Sequence, residues 1–291
     1  MSEYLASPGL PSTRPRLVLL SSGDKPDVAG EIARLRPLVA KHAEIVMEDA
    51  SFSADLQSVA ADFAVVLGGD GSILHAAHQM GFHQIPVVGV NLGKLGFLAD
   101  LSPDEFLRVL PDLGSGNYRV VEHLMFECRV VRGGKTIHEE LGLNEAVIFA
   151  GPPFSILDIH LYVDAELATT YSCDGLIVST PVGSTAHSLS AGGPILRKSL
   201  SAFVISPISP HTLTNRPVVD AADRVYELAV PRPHDGTSLV VDGRTVCTLS
   251  SDDRVRIEAA RASFKLVEFA GHGYYRTLRE KLGWRGQLQK P

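Results

Sequence analysis

Two hydrophobic periods divide this chain, and the place where one replaces the other constrains its fold more than any single motif. Up to about Val120, short apolar runs alternate with stretches of helical spacing. Residues 17–20 form a run that stops at Ser21-Ser22-Gly23. Val28, Ile32, Leu35 and Val39 then recur three or four apart, the spacing of one helix face. Residues 45–47, 63–67 and 87–90 read as further strands, and residues 73–80 as a helix. Short apolar strands separated by helices imply a parallel sheet covered on both faces.

Beyond that point the period becomes two. Leu157, Ile159, Leu161 and Val163 alternate with Asp158, His160 and Tyr162. Residues 126–131 run into Arg132-Gly133-Gly134-Lys135, a hairpin signal. Residues 225–230, 239–241, 246–249, 255–259 and 264–269 continue the β pattern, and Asp242-Gly243 is a tight turn between two of them. Residues 275–282 turn helical again and stop at Gly283. The expected organisation is a loose Ser- and Pro-rich leader over residues 1–15 and an α/β domain with a parallel sheet over 16–122. A β-rich domain over 123–270 follows, then a helical tail over 271–291 that packs back on the first domain.

The composition narrows the partners. With 291 residues, 45 % of them hydrophobic, the chain has enough apolar material for packed cores. A formal charge of −6 offers no general attraction for polyanions, so nucleic acid is not an expected partner. No apolar run reaches the ~18 residues of a membrane span, and no signal-peptide order is present, so a cytoplasmic protein without membrane contact is expected. Cys128, Cys173 and Cys247 lie far apart and form no CxxC pair, which argues against a disulfide framework or a cysteine zinc site and fits a reducing compartment.

Two stretches carry chemistry. Leu67-Gly68-Gly69-Asp70-Gly71-Ser72 follows a buried strand and precedes a helix. Its glycines let the backbone approach a ligand, and its N–H groups with the helix behind them suit a phosphate. It is neither a Walker A loop nor a dinucleotide fingerprint, because the required glycine spacings are missing. An aspartate in an anion-binding loop makes sense as a base or as a ligand to a metal on the phosphates. The alternative is that Asp70 caps the next helix. The second stretch runs from Asp174 through Ser179-Thr180-Pro181, Gly183-Ser184-Thr185-Ala186 and His187 to Gly192-Gly193-Pro194. Its small side chains, hydroxyls and amides suit a ligand, or else form a polar loop with a capped turn. No G-x-S-x-G elbow is present, which disfavours a serine hydrolase. Asn144-Glu145 can grip a ribose or an adenine edge, or be a turn residue with a solvated neighbour. His75 and His78 lie at i, i+3 but lack a third metal ligand.

Taken in order, these motifs resemble the NAD kinase family. Besides the glycine loop, the matching segments are residues 91–98 (NLGKLGFL), Asn144-Glu145, the run 174–194, Asp242-Gly243 and residues 278–284 (LREKLGW). The resemblance covers roughly residues 16–285. The glycine loop alone is shared with lipid kinases and phosphofructokinases, whereas the run 174–194 is specific.

The resemblance implies ATP-dependent phosphorylation of the adenosine ribose 2′-hydroxyl of NAD to give NADP, with Asp70 as general base. Gly71 and His75 would lie beside the substrate, and Asn144 and Glu145 would hold its adenosine part. Ser155, Ser172, Asp174, Val182, Thr185, Ala186, His187, Ser188, Leu189 and Ser190 would line the NAD site. A divalent cation, magnesium, would arrive with ATP, since no protein metal cage is legible. A homodimer or homotetramer is implied as well. Three positions depart from the family pattern: His187 where Tyr is common, Ser172 where a basic residue is common, and Arg244 where Gln is common. Arg244 is expected either to contact the dinucleotide or to be a solvated hairpin residue. A lipid kinase or a dinucleotide sensor without catalysis would leave, respectively, the run 174–194 and Asp70 without a purpose.

Overall fold

The computed structural model describes residues 14–22, 26–93, 95–152, 155–212, 215–271 and 274–283. The chain divides into two units, residues 1–122 with 264–291, and residues 123–263.

The first unit begins with β1 (Arg16–Ser21), α1 (Pro26–Val39), β2 (Glu44–Asp49), β3 (Phe63–Leu67), α2 (Asp70–Met80), β4 (Val87–Val90) and α3 (Pro103–Ser115). The strands are parallel, in the order β2-β1-β3-β4. All five residues of β3 and all four of β4 are buried, as strands covered on both faces must be. Leu17, Leu19, Phe63, Val65, Val88 and Val90 share one core with Leu35 and Val39 of α1 and Phe106, Leu110 and Leu113 of α3. On the other face Ile73 of α2 comes so close to Gly89 of β4 that a Cβ there would stand 2.8 Å from its Cδ1.

Two local features differ from expectation. Helix α2 starts at Asp70, not at Ile73, so half of the glycine loop is the first helical turn. Helix α3 was not expected at all. It rests on a capping box: Glu105 N–H donates to Ser102 Oγ at 3.3 Å, Ser102 N–H donates to Glu105 Oε2 at 2.9 Å, and Pro103 opens the helix. Residues 1–13 of the expected leader lie outside the described residues. Its end is tied down, since Pro15 O accepts from Glu44 N–H at 2.9 Å and Ala40 O accepts from Arg14 at 3.0 Å.

The second unit is built of strands. In order they are β5 (Arg119–Arg132), β6 (Lys135–Gly142), β7 (Glu145–Phe149), β8 (Leu157–Val163), β9 (Glu166–Cys173) and β10 (Gly175–Ser179). A short helix α4 (His187–Ser190) intervenes before β11 (Ala202–Ile208), β12 (Val218–Ala221), β13 (Tyr226–Ala229), β14 (Ser238–Val241), β15 (Arg244–Thr248) and β16 (Asp253–Glu268). One antiparallel sheet has the order β12-β11-β10-β7-β14-β15, and β16, β13, β8 and β9 are neighbours in another. Inward residues of both, among them Ile148, Ile159, Leu176, Phe203, Tyr226, Leu239 and Ile257, make one core.

β16 then passes from one unit to the other. The expected boundary at 270 falls instead at Phe264, because this 16-residue strand crosses without a turn and sets Leu266 beside Val87 of β4. The chain ends its described course in α5 (Tyr274–Leu282). Leu278 is 2 % exposed, Arg276 lies 3.9 Å from Glu105, and the Lys281 amine stands 4.7 Å above the Phe97 ring. Helix α5 thus packs within the first unit, while Trp284 lies outside the described residues. Leu278→Ala should lower stability by about 2–4 kcal/mol in chemical denaturation, the usual cost of emptying a buried leucine site. An unchanged midpoint would show that the helix contributes nothing. Among the described residues no helix is long and apolar enough to cross a membrane.

Candidate functional site

In the first unit a cavity of about 1030 Å³ opens at the carboxyl ends of the parallel strands. Its lining includes Ser22 after β1, Gly68 and Gly69 after β3, Asn91 after β4, and His75 on α2. Open α/β sheets bind ligands at this edge. Gly68 takes φ +153, and a Cβ there would overlap the Ser72 side chain, so only glycine turns the chain this tightly. Gly69 is the N-cap of α2 and supplies no side-chain cap. Gly71 is exposed in the first turn. His75 is exposed and stacks on Phe52, with ring centroids 5.5 Å apart.

Asp70 does not cap its own helix. Its carboxylate turns to residues 97–99, where Oδ2 accepts from Phe97 N–H at 2.7 Å, and Oδ1 accepts from Leu98 N–H at 2.8 Å and Ala99 N–H at 3.1 Å. A carboxylate offers roughly four acceptor positions. Among the described residues three are used, and the open one belongs to Oδ2. The side chain is therefore held in one orientation with an acceptor still available. Among the described residues no three His, Cys, Asp or Glu side chains are placed to hold a metal ion, and His75 and His78 gain no third ligand.

In the second unit β10 leads through Thr180 and Pro181 into a 3-10 turn (Gly183–Thr185) and then α4. Much of the hydroxyl-rich run serves the turn itself. Ser184 Oγ donates to Pro181 O at 2.6 Å, Thr180 Oγ1 to Leu143 O at 2.6 Å, and Thr185 Oγ1 to Val182 O at 3.1 Å. Ser188 is fully buried with its Oγ 3.1 Å from Ser206 Oγ, and Val182 is 3 % exposed. Thr185, Ala186, His187 and Leu189 are half-buried, whereas Ser190 is exposed. The His187 ring stacks on Phe149 at 5.4 Å.

Asn144 and Glu145 sit where β7 begins, and the turn Asp242-Gly243 fixes them. Asp242 takes φ +47 and Gly243 φ +79. The Asp242 carboxylate accepts from the N–H groups of Leu143, Asn144 and Glu145 at 2.7, 2.8 and 3.0 Å. Sequence reasoning found the turn but not this clamp, since nothing in the spacing links residues about a hundred positions apart. Glu145 is 7 % exposed, and its Oε2 has no hydrogen-bonding partner among the described residues. Burial first, and then the negative charge of Asp242, push its carboxyl up to about 8.

The other expected residues lie nearer the surface of this unit. Ser172 Oγ donates to Asp158 Oδ1 at 2.6 Å, and Asp174 lies 3.8 Å from His211 Nε2. Ser155 is exposed. Arg244 pairs with Glu140 at 3.2 Å and is half-exposed.

A glycine loop that opens a helix at the carboxyl edge of a parallel sheet, with an oriented carboxylate among its residues, defines a phosphotransferase-like site. The comparisons make this specific. Residues 34–118 match the family model of the ATP-NAD kinase N-terminal domain, and residues 143–269 that of the ATP-NAD kinase C-terminal domain. An NAD kinase from Rhodopirellula baltica is 55 % identical over 94 % of this chain and 88 % of its own. One from Nitrosomonas europaea is 40 % identical over 79 % of this chain and 77 % of its own. Among solved structures, yeast NADH kinase complexed with NADH matches in fold with a TM-score of 0.81 at 22 % identity, covering 96 % of this chain and 91 % of its own. An Archaeoglobus fulgidus NAD kinase in complex with ATP gives 0.76 at 26 %, covering 93 % of this chain and 100 % of its own. The chain belongs to the NAD kinase family.

Proposed function

We propose that Asp70 is the general base of a phosphoryl transfer in which the glycine-loop cavity receives the phosphates of ATP. The overall reaction follows from family membership: the chain phosphorylates NAD with ATP to give NADP. The adenosine ribose 2′-oxygen attacks the γ-phosphorus. An O–P bond forms, the bond from phosphorus to the β–γ bridging oxygen breaks, and ADP leaves with that electron pair. The hydroxyl proton passes to Asp70 Oδ2. The observation that carries this reading is the carboxylate's three N–H bonds, which orient it and leave at Oδ2 an acceptor position that no described residue takes. Such transfers depend on positioning and charge stabilisation.

Asn144 and Glu145, held by Asp242, would bind the adenosine part, with Ser155, Ser172, Asp174, residues 185–190 and Arg244 toward the rest of the dinucleotide. The stacked, half-buried His187 supports a role against a planar group. Magnesium enters as the ATP complex, and so as part of the substrate. A homodimer or homotetramer in the cytoplasm completes the reading. The separate free cysteines suit a reducing compartment, and sedimentation would give the assembly.

The test is to incubate the protein with magnesium, ATP and NAD and to measure NADP, with diacylglycerol, NADH and inorganic polyphosphate in parallel. NADP formation is expected. Phosphorylation of diacylglycerol alone, or NAD binding without product, would refute the reading. Arg244→Gln should raise KM for NAD about tenfold, as the loss of a charge-assisted contact of about 1.5 kcal/mol would. The KM for ATP should stay unchanged. Unaltered NAD kinetics would make Arg244 a solvated hairpin residue whose partner is Glu140.

A further inference from the structure

We infer that Gly96 is a positioning residue for the phosphoryl transfer, because the space left by its missing Cβ is where Asp70 sits. The inference rests on the reading of Asp70 as the base. Gly96 does not adopt the left-handed backbone region, so conformational freedom does not explain it. Space does. A Cβ on Gly96 would overlap Asp70 Oδ1 and stand 2.9 Å from its Cγ and 3.0 Å from Ala99 O. Gly96 N–H also donates to Ala99 O at 2.9 Å, closing the turn whose next three N–H groups hold the carboxylate. From the other side, Gly89 of β4 lets the same turn approach. A Cβ there would lie 2.8 Å from Leu98 O and 2.9 Å from Ala99 Cα. Two glycines thus press one turn against one carboxylate.

The consequence is a division of labour within the side chain. Oδ1, with two N–H donors and the Gly96 backbone against it, is the anchored oxygen. Oδ2, with one donor, is the oxygen free to take a proton. A methyl group at residue 96 would drive Oδ1 off its donors and swing Oδ2 away from its working position. Neither substrate needs to touch Gly96 for this to happen.

A double-mutant cycle tests the inference in the full-length protein, using Gly96→Ala, Asp70→Ala and the double variant. Gly96→Ala should lower kcat at least tenfold with KM for NAD and for ATP within twofold of the parent. Its melting temperature should fall as well. In the Asp70→Ala background, adding Gly96→Ala should change single-turnover NADP formation by less than twofold and leave the melting temperature where it was. Equal losses in both backgrounds would overturn the inference, because they would place the clash on Ala99 and not on Asp70. A rise in KM with unchanged kcat would overturn it too. Failure of the base reading looks different: Asp70→Ala alone would then turn over normally, while the stability coupling between positions 70 and 96 would persist.

Discussion

Glu145→Gln should make the unliganded protein more stable than its parent, by a margin that widens as pH rises from about 5 to 8. The folded carboxyl titrates near 8 against an ordinary value of 4.5. Between these values the folded chain holds a proton that the unfolded chain has released. Stability therefore falls as pH rises through this window, and the loss is complete once the folded form also ionises. The cause lies in the clamp at the start of β7. Glu145 is buried, its Oε2 has no partner among the described residues, and Asp242, fixed by three N–H groups, is its charged neighbour. On the far side of the turn, Arg244 is paired with Glu140. A neutral amide escapes the loss, which is of the order of a few kcal/mol at full effect. Chemical denaturation of both proteins at a series of pH values reads the margin. A difference independent of pH would mean that Glu145 is ionised in the folded protein throughout the range.

The parts of the fold legible in the sequence were those in which one residue pattern has one structural outcome. Residues 63–67, apolar throughout, and 87–90, three valines around Gly89, are short apolar runs bounded by turn residues, the pattern of strands buried on both faces. Alternation at 157–163 marked β8 as one-sided. By contrast β11 carries Pro207, which ordinarily argues against an interior strand. It is tolerated because β12 pairs only as far as Ile205, leaving that side of Pro207 open. The capping pattern of Ser102-Pro103-Asp104-Glu105 and the helical spacing of Phe106, Leu110 and Leu113 were both present in the sequence, so α3 was legible there although it was not expected. At the site, the glycine loop and the run 174–194 were visible as motifs. Their internal bonding was not. That Asp70 faces residues 97–99, that Asp242 holds residues 143–145, and that Ser188 faces Ser206 are tertiary facts no local spacing encodes.

Asp70→Asn should lower NADP formation by at least about 10²-fold, the lower range for losing a positioned base. Asparagine keeps one oxygen for Leu98 and Ala99. Its amide nitrogen then stands at the place of Oδ2, where it cannot accept a proton and meets the Phe97 N–H as donor against donor. That mismatch costs about 1–3 kcal/mol, so the variant should melt earlier yet remain folded. The second unit, with Asn144, Glu145 and His187, is unaltered, and NAD binding should persist.

The most direct measurement is a single turnover with γ-labelled ATP, comparing parent and Asp70→Asn at NAD concentrations shown by titration to saturate both. The parent should place the label on NADP, and the variant should do so at one hundredth of that rate or less with an unchanged NAD dissociation constant. Labelled NADP formed at a near-parental rate by the saturated variant would contradict Asp70 as the base.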